Sequence, residues 1–73
     1  GWLVYHTYDS RRSAKGFPDL VLVRDRVVWA ELKSLRGRLR AMQGVWLDAL
    51  RAAGQEVYLW RPCDLDRVKE VLR

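Results

Sequence analysis

An α/β fold built on a mixed four-stranded sheet is what this chain predicts, and three observations predict it: two apolar runs only three residues apart, one stretch of helical periodicity, and a short apolar run after it. The first two runs, 19–23 and 27–33, are joined by Arg24-Asp25-Arg26 and so form an antiparallel hairpin. From Arg38 the period changes, with Leu39, Met42, Trp46, Ala49, Leu50 and Ala53 recurring at three and four residues as in an amphipathic helix. The run Val57-Tyr58-Leu59-Trp60 cannot return from that helix by a tight turn, so it joins the sheet through a crossover and makes it mixed.

Each element has a local reason. Residues 2–8, Trp-Leu-Val-Tyr-His-Thr-Tyr, mix aromatic and β-branched types as a first strand does. Residues 9–16 are polar and basic, a loop closed by Gly16. Pro18 has no N–H to give a sheet ladder but is accepted at its start, so the second strand opens at Asp19. Gly54 ends the long helix, Pro62 stops the last strand, and Asp64 caps a final helix with apolar positions Leu65, Val68, Val71 and Leu72. The expected order is β-β-β-α-β-α, with helices packed on the sheet.

A chain of 73 residues, 49% of them hydrophobic, suits one domain and one core. Fourteen Lys and Arg against nine Asp and Glu leave a net charge of +5, which favours polyanionic partners, although composition alone fits solvated charge equally well. Cys63 is the single cysteine, which excludes a disulfide framework and a cysteine-based zinc site. No apolar run approaches the roughly 20 residues of a membrane span. The expected setting is a reducing cytoplasm, that of a bacterium or of a cell hosting a phage. Because the chain does not begin with Met, Gly1 is read as the edge of a domain cut from a longer protein.

Within the hairpin, side-chain alternation puts Val27, Trp29, Glu31 and Lys33 on one face and Val28, Ala30 and Leu32 on the other. The three-residue turn pairs Val23 with Val27, Val21 with Trp29, and Asp19 with Glu31. Two carboxylates then stand opposite each other, with Cβ atoms about 5 Å apart, and this destabilises a sheet unless a cation compensates. Hard carboxylate oxygens suit Mg²⁺ or Mn²⁺. A metal so held lowers the pKa of a bound water, and Lys33 beside it can orient that water or stabilise developing negative charge, which is the chemistry of phosphodiester hydrolysis. The bland alternative makes Lys33 the partner of Asp19 and Glu31 in a surface ion pair.

Gly16-Phe17-Pro18-Asp19-Leu20, then Glu31-Leu32-Lys33, then Gln43 on the following helix before Trp46-Leu47 and Gly54, resembles the G-x-P-D…E-x-K…Q pattern of VRR-NUC domains, a branch of the PD-(D/E)xK nuclease superfamily. The likeness runs from near Gly1 to about Pro62. It implies a restriction-endonuclease-like core and cleavage of DNA, with Asp19, Glu31 and the backbone carbonyl of Leu32 as metal ligands, Lys33 as catalytic lysine and Gln43 as a further site residue. Branched DNA such as Holliday junctions or flaps is the expected substrate. The family fold usually opens with a helix before the first strand, and the expectation for residues 1–73 is a domain that lacks it.

Gln43 also stands out by position. At about 100° per residue it falls roughly 40° from Leu39 and 20° from Leu50, inside the apolar stripe, where a polar side chain needs partners. Those partners are either a backbone group or the hairpin's acidic cluster. Arg11, Arg12 and Lys15 in the loop, with Arg36, Arg38 and Arg40 ahead of the helix, border the acidic residues on both sides in sequence and are the phosphate-contact candidates, with Arg61 less well placed. Trp2, Trp29, Trp46 and Trp60 fall at strand or helix positions where core packing is the default, although Trp2 and Tyr8 could stack on bases, and His6 is read as a packed or hydrogen-bonded strand residue rather than a ligand.

A homodimer is expected, because one site cuts one strand and a two-fold pair cuts both, and because part of the sheet lacks cover within the chain. A nucleic-acid-binding module that keeps this fold without chemistry is the alternative. A purely structural domain leaves the opposed carboxylates unexplained.

Overall fold

The computed structural model describes residues 1–7 and 14–73. Strands β1 (Leu3–His6), β2 (Leu20–Val23), β3 (Val27–Leu32) and β4 (Glu56–Trp60) form one sheet in that spatial order. Helix α1 (Ala41–Ala52) connects β3 to β4, and a 3₁₀ turn over Pro62–Asp64 leads into α2 (Leu65–Val71). The pairs β1–β2 and β2–β3 are antiparallel and β3–β4 is parallel, so the sheet is mixed as its connections require.

Alternation divides the sheet into two faces. On one, Leu22, Val28, Ala30 and Trp60 are buried, and Val68, Val71 and Leu72 pack against them, so α2 covers this side. The other face carries Trp29 and Glu31. It is covered on the α1 side, where Leu47 is buried and Phe17 meets Trp29 and Trp46 edge-on at centroid distances of 6.0 and 5.1 Å.

β2 opens at Leu20 rather than Asp19, β3 closes at Leu32 rather than Lys33 and β4 opens at Glu56 rather than Val57, and two further boundaries differ from the sequence expectation. β1 is shorter than residues 2–8 because Trp2 is held elsewhere: its indole donates to the Leu72 carbonyl at 2.9 Å and its ring lies 4.5 and 5.1 Å from the Arg24 and Arg26 guanidiniums. Trp2 is thus packed and hydrogen-bonded within the fold, in keeping with the packing default for its position, and Tyr8 lies outside the described residues. α1 starts at Ala41, three residues after Arg38, because Arg40 is extended (φ −85°, ψ 159°) and its N–H donates to Gln43 Oε1 at 2.8 Å, which makes Arg40 the cap.

The end of α2 leaves carbonyls that the helix cannot satisfy. Three side chains donate to them: Trp2 to Leu72, Arg26 Nη2 to Val71 at 2.6 Å and Arg24 Nη2 to Arg73 at 3.2 Å. Arg26 Nε also pairs with Glu56 at 2.7 Å. Hydrogen bonds from Tyr58 and Arg26 hold that carboxyl below the usual carboxylate range. The β2–β3 turn is thereby tied to β4 and to α2.

Two glycines adopt positive φ, Gly16 at 82° and Gly54 at 81°. Gly54 closes α1 as the sequence predicts and has open space where a side chain would stand. At Gly16 a Cβ would lie 2.5 Å from the Met42 backbone carbon and 2.7 Å from the Gln43 nitrogen, so the loop before Asp19 packs directly on the first turn of α1. Gly54→Ala should cost about 1 kcal/mol for the backbone conformation alone. Gly16→Ala adds overpacking and should cost about 3 kcal/mol or more, a difference that urea unfolding of the two variants measures directly.

Candidate active site

Asp19 sits one residue before β2, with both its main chain and its side chain tied down. Its carbonyl accepts the Thr7 N–H at 2.9 Å, and Thr7 Oγ1 donates to the Pro18 carbonyl at 3.2 Å. Its Oδ2 accepts the Leu32 N–H at 2.8 Å, extending the hairpin's hydrogen bonds beyond the last paired backbone rung. Thr7 carried no role in the sequence reading. The β1–β2 register, Leu3 with Val23 through His6 with Leu20, brings it opposite Asp19, and that register cannot be read before the strand ends are known.

The hairpin pairs Val23 with Val27 and Val21 with Trp29, as the turn length predicts, so Asp19 meets Glu31. Glu31 is 1% exposed and its Oε2 has no hydrogen-bond partner. Burial pushes its carboxyl up to about 8, helped by a hydrogen bond with the Asp19 side chain and by the Asp19 charge, while Lys33 pulls the other way. Among the described residues, no group of three His, Cys, Asp and Glu side chains suited to a metal occurs. The Leu32 carbonyl projects to the strand edge that faces Asp19, because the N–H and C=O of one strand residue point to the same side and this N–H donates to Asp19.

Lys33 follows β3, with its N–H donating to the Trp60 carbonyl at 3.0 Å. It forms none of the ion pairs found among the described residues, which join Arg24, Arg26, Arg51 and Arg73 to Asp25, Glu56, Asp48 and Glu70.

Gln43 uses its carbonyl oxygen to cap α1 at Arg40, the backbone partner that its place in the apolar stripe calls for. The same turn of α1 rests on Gly16, and Trp46 Nε1 donates to the Lys15 carbonyl at 3.0 Å. Gln43 is thus joined to the Asp19 loop through packing. Lys15, Arg36, Arg38 and Arg40 are exposed, whereas Arg11 and Arg12 lie outside the described residues. Arg61, the less well placed phosphate-contact candidate, donates Nη1 to the Ser34 and Gly37 carbonyls at 2.7 and 2.6 Å. His6 lies opposite Leu20, on the face away from Glu31.

A mixed sheet whose hairpin opposes two carboxyls, with a lysine two residues along, defines an α/β domain of nuclease type. The chain belongs to the VRR-NUC domain family, whose model matches residues 1–62. Membership implies a nuclease-type function with DNA as the substrate class, in a family typically dependent on divalent metal. No curated protein and no solved structure matches the chain. The matched span holds Asp19, Glu31, Lys33 and Gln43 and stops before α2.

The Glu31 carboxyl sets a pH dependence in metal-free protein. Its folded value lies above the ordinary 4.5, so between pH 4.5 and about 8 the folded state keeps a proton that the unfolded chain releases. The stability this proton contributes is complete below pH 4.5 and is lost as pH rises through about 8. Denaturant unfolding across that range should show the decline, and Glu31→Gln should flatten it. A wild-type profile already flat, or an unchanged slope in the variant, would contradict the assignment.

Proposed function

We propose that this chain is a divalent-metal-dependent endodeoxyribonuclease, with Asp19, Glu31 and the Leu32 carbonyl as ligands to Mg²⁺ or Mn²⁺ and Lys33 as the catalytic lysine. The observation that carries this reading is the Glu31 carboxyl, buried beside Asp19 with Oε2 lacking a partner. A buried anion costs several kcal/mol unless a cation or hydrogen bonds offset it, and two facing carboxyls compound the cost. Three oxygens of this type on one side of a hairpin end fit a hard cation with open positions for water and phosphate. When bound, the cation supplies a Lewis acid and a water of lowered pKa.

The chain's own residues do the remainder. Asp19, tied at its carbonyl and at Oδ2, keeps one carboxylate at a fixed position across from Glu31. Lys33 places an ammonium next to the pair, where it stabilises charge developing on the phosphate and orients the attacking water. Exposed Lys15, Arg36, Arg38 and Arg40 supply phosphate contacts for the strand, and Arg11 and Arg12 are proposed for the same role. Gln43 supports the site from α1.

The reading extends to branched DNA, a Holliday junction or a flap, cut by a homodimer. Leu3, Val4 and Tyr5 on edge strand β1 are 76%, 58% and 62% exposed, an apolar surface that suits burial against a second copy. A two-fold pair presents two sites, one per strand.

Incubation with labelled linear, flapped and junction DNA tests the activity. Cleavage should require Mg²⁺ or Mn²⁺ and stop with chelator, and junction or flap should be cut in preference to linear duplex. Lys33→Ala should slow single-turnover cleavage by about 10²-fold or more while the DNA Kd moves only a few-fold. Binding without cleavage in either metal would leave the chain a DNA-binding module. Sedimentation at micromolar concentration should give a dimer, and Tyr5→Glu should shift it toward monomer; a wild-type monomer cutting both strands of a junction in one encounter would refute the pairing.

A further inference from the structure

We propose that Arg61 is a positioning residue for this reaction: from the end of β4 its guanidinium holds the loop between β3 and α1 closed along the stem of Lys33. The inference rests on the catalytic reading of Lys33 given above. Arg61 Nη1, one nitrogen with two hydrogens, donates to the Ser34 carbonyl at 2.7 Å and to the Gly37 carbonyl at 2.6 Å. These are the two ends of a turn that the Gly37 N–H closes onto the Ser34 carbonyl at 3.2 Å.

Gly37 lies close to the lysine, since a Cβ built there would lie 2.8 Å from Ser34 Oγ and within ordinary van der Waals distance, 3.6 Å, of Lys33 Cδ. The turn therefore lies alongside the Lys33 stem, and Arg61 holds the turn in place. Lys33 is also fixed at its N–H by Trp60, the last residue of β4, so Trp60 and Arg61, which follows it, grip both the lysine's backbone and the loop beside it. Arg61 is itself held: its N–H donates to Asp64 Oδ2 at 2.9 Å and its carbonyl accepts the Asp64 N–H at 2.9 Å.

Charge-assisted hydrogen bonds to two converging carbonyls hold a turn more firmly than water can. Without the guanidinium the turn loses those restraints, the stem of Lys33 gains rotamer freedom, and its ammonium spends less time where charge develops. Misplacement of a catalytic group by about 1 Å can lower a rate by about 10²-fold without weakening substrate binding.

Arg61→Ala, Arg61→Lys and Lys33→Ala, each checked for folding by its urea midpoint, test the proposal. Single-turnover cleavage by Arg61→Ala should be about 10- to 100-fold slower, with the DNA Kd and its salt slope unchanged within about two-fold. Arg61→Lys, which keeps a cationic donor for the carbonyls, should recover much of the loss. A phosphate ligand behaves otherwise, weakening binding and lowering the salt slope by about one, and that result would overturn the proposal. A wild-type cleavage rate in Arg61→Ala would overturn it as well.

A second readout does not depend on activity. NMR relaxation of the Lys33 side-chain methylenes in DNA-free protein should show greater mobility in Arg61→Ala and near-native mobility in Arg61→Lys. Unchanged mobility in Arg61→Ala would defeat the clamp whatever the enzyme does. Undiminished cleavage by Lys33→Ala would instead defeat the catalytic reading of the lysine, and with it the consequence for rate, while the relaxation data still decided whether Arg61 restrains its stem.

Discussion

Val21 lies opposite Trp29 in the hairpin, and because side chains alternate across a strand, that one pairing decides which residues meet at its open end. It sets Asp19 across from Glu31 and puts both on the Trp29 face. A slip of one residue would turn Glu31 to the α2 side and send Val28 and Ala30, both fully buried, to the other. The apolar core and the acidic pair are therefore specified by the same register, so the stability of the core holds together two carboxyls whose ionised forms repel each other.

The burial of Glu31 follows from how the two helices share the sheet. α2 takes the face of Leu22, Val28, Ala30 and Trp60, with its C-terminal carbonyls held by Trp2, Arg24 and Arg26. The face of Glu31 is left to Phe17, Trp46 and Leu47. Gly16 allows this closure because its missing Cβ lets the Asp19 loop touch the backbone at Met42 and Gln43. The glycine, the Pro-Asp pair and the glutamine of the family pattern thus belong to one packing contact, in which Gln43 caps the helix that Gly16 receives.

Much of this was legible in the sequence because it depends on short-range geometry. The Arg24–Arg26 turn length dictates the pairing, alternation dictates the faces, and Gly54 dictates where α1 ends. What could not be read depends on side chains reaching across the fold. Arg38 and Leu39 keep a helical period yet stay outside α1, because Gln43 captures the Arg40 N–H. Thr7 meets Pro18 and Asp19 only through the β1–β2 register. Arg61 looked like one more surface cation until the loop folded back to present it with two carbonyls. Periodicity carries no record of any of these contacts.

Two facing carboxyls, one buried with an unpartnered oxygen, raise the pKa of Glu31, and in the proposed metal site protonation and a bound cation would compete for the same oxygens. The most direct measurement is a carbon-13 NMR titration of the Glu31 carboxyl, in metal-free protein and again with saturating Mg²⁺. The account predicts a midpoint near 8 without metal, raised by burial and by Asp19, and a return toward the ordinary carboxylate range when the cation is present. A Glu31 that titrates near 4.5 without metal and does not respond to Mg²⁺ would contradict it.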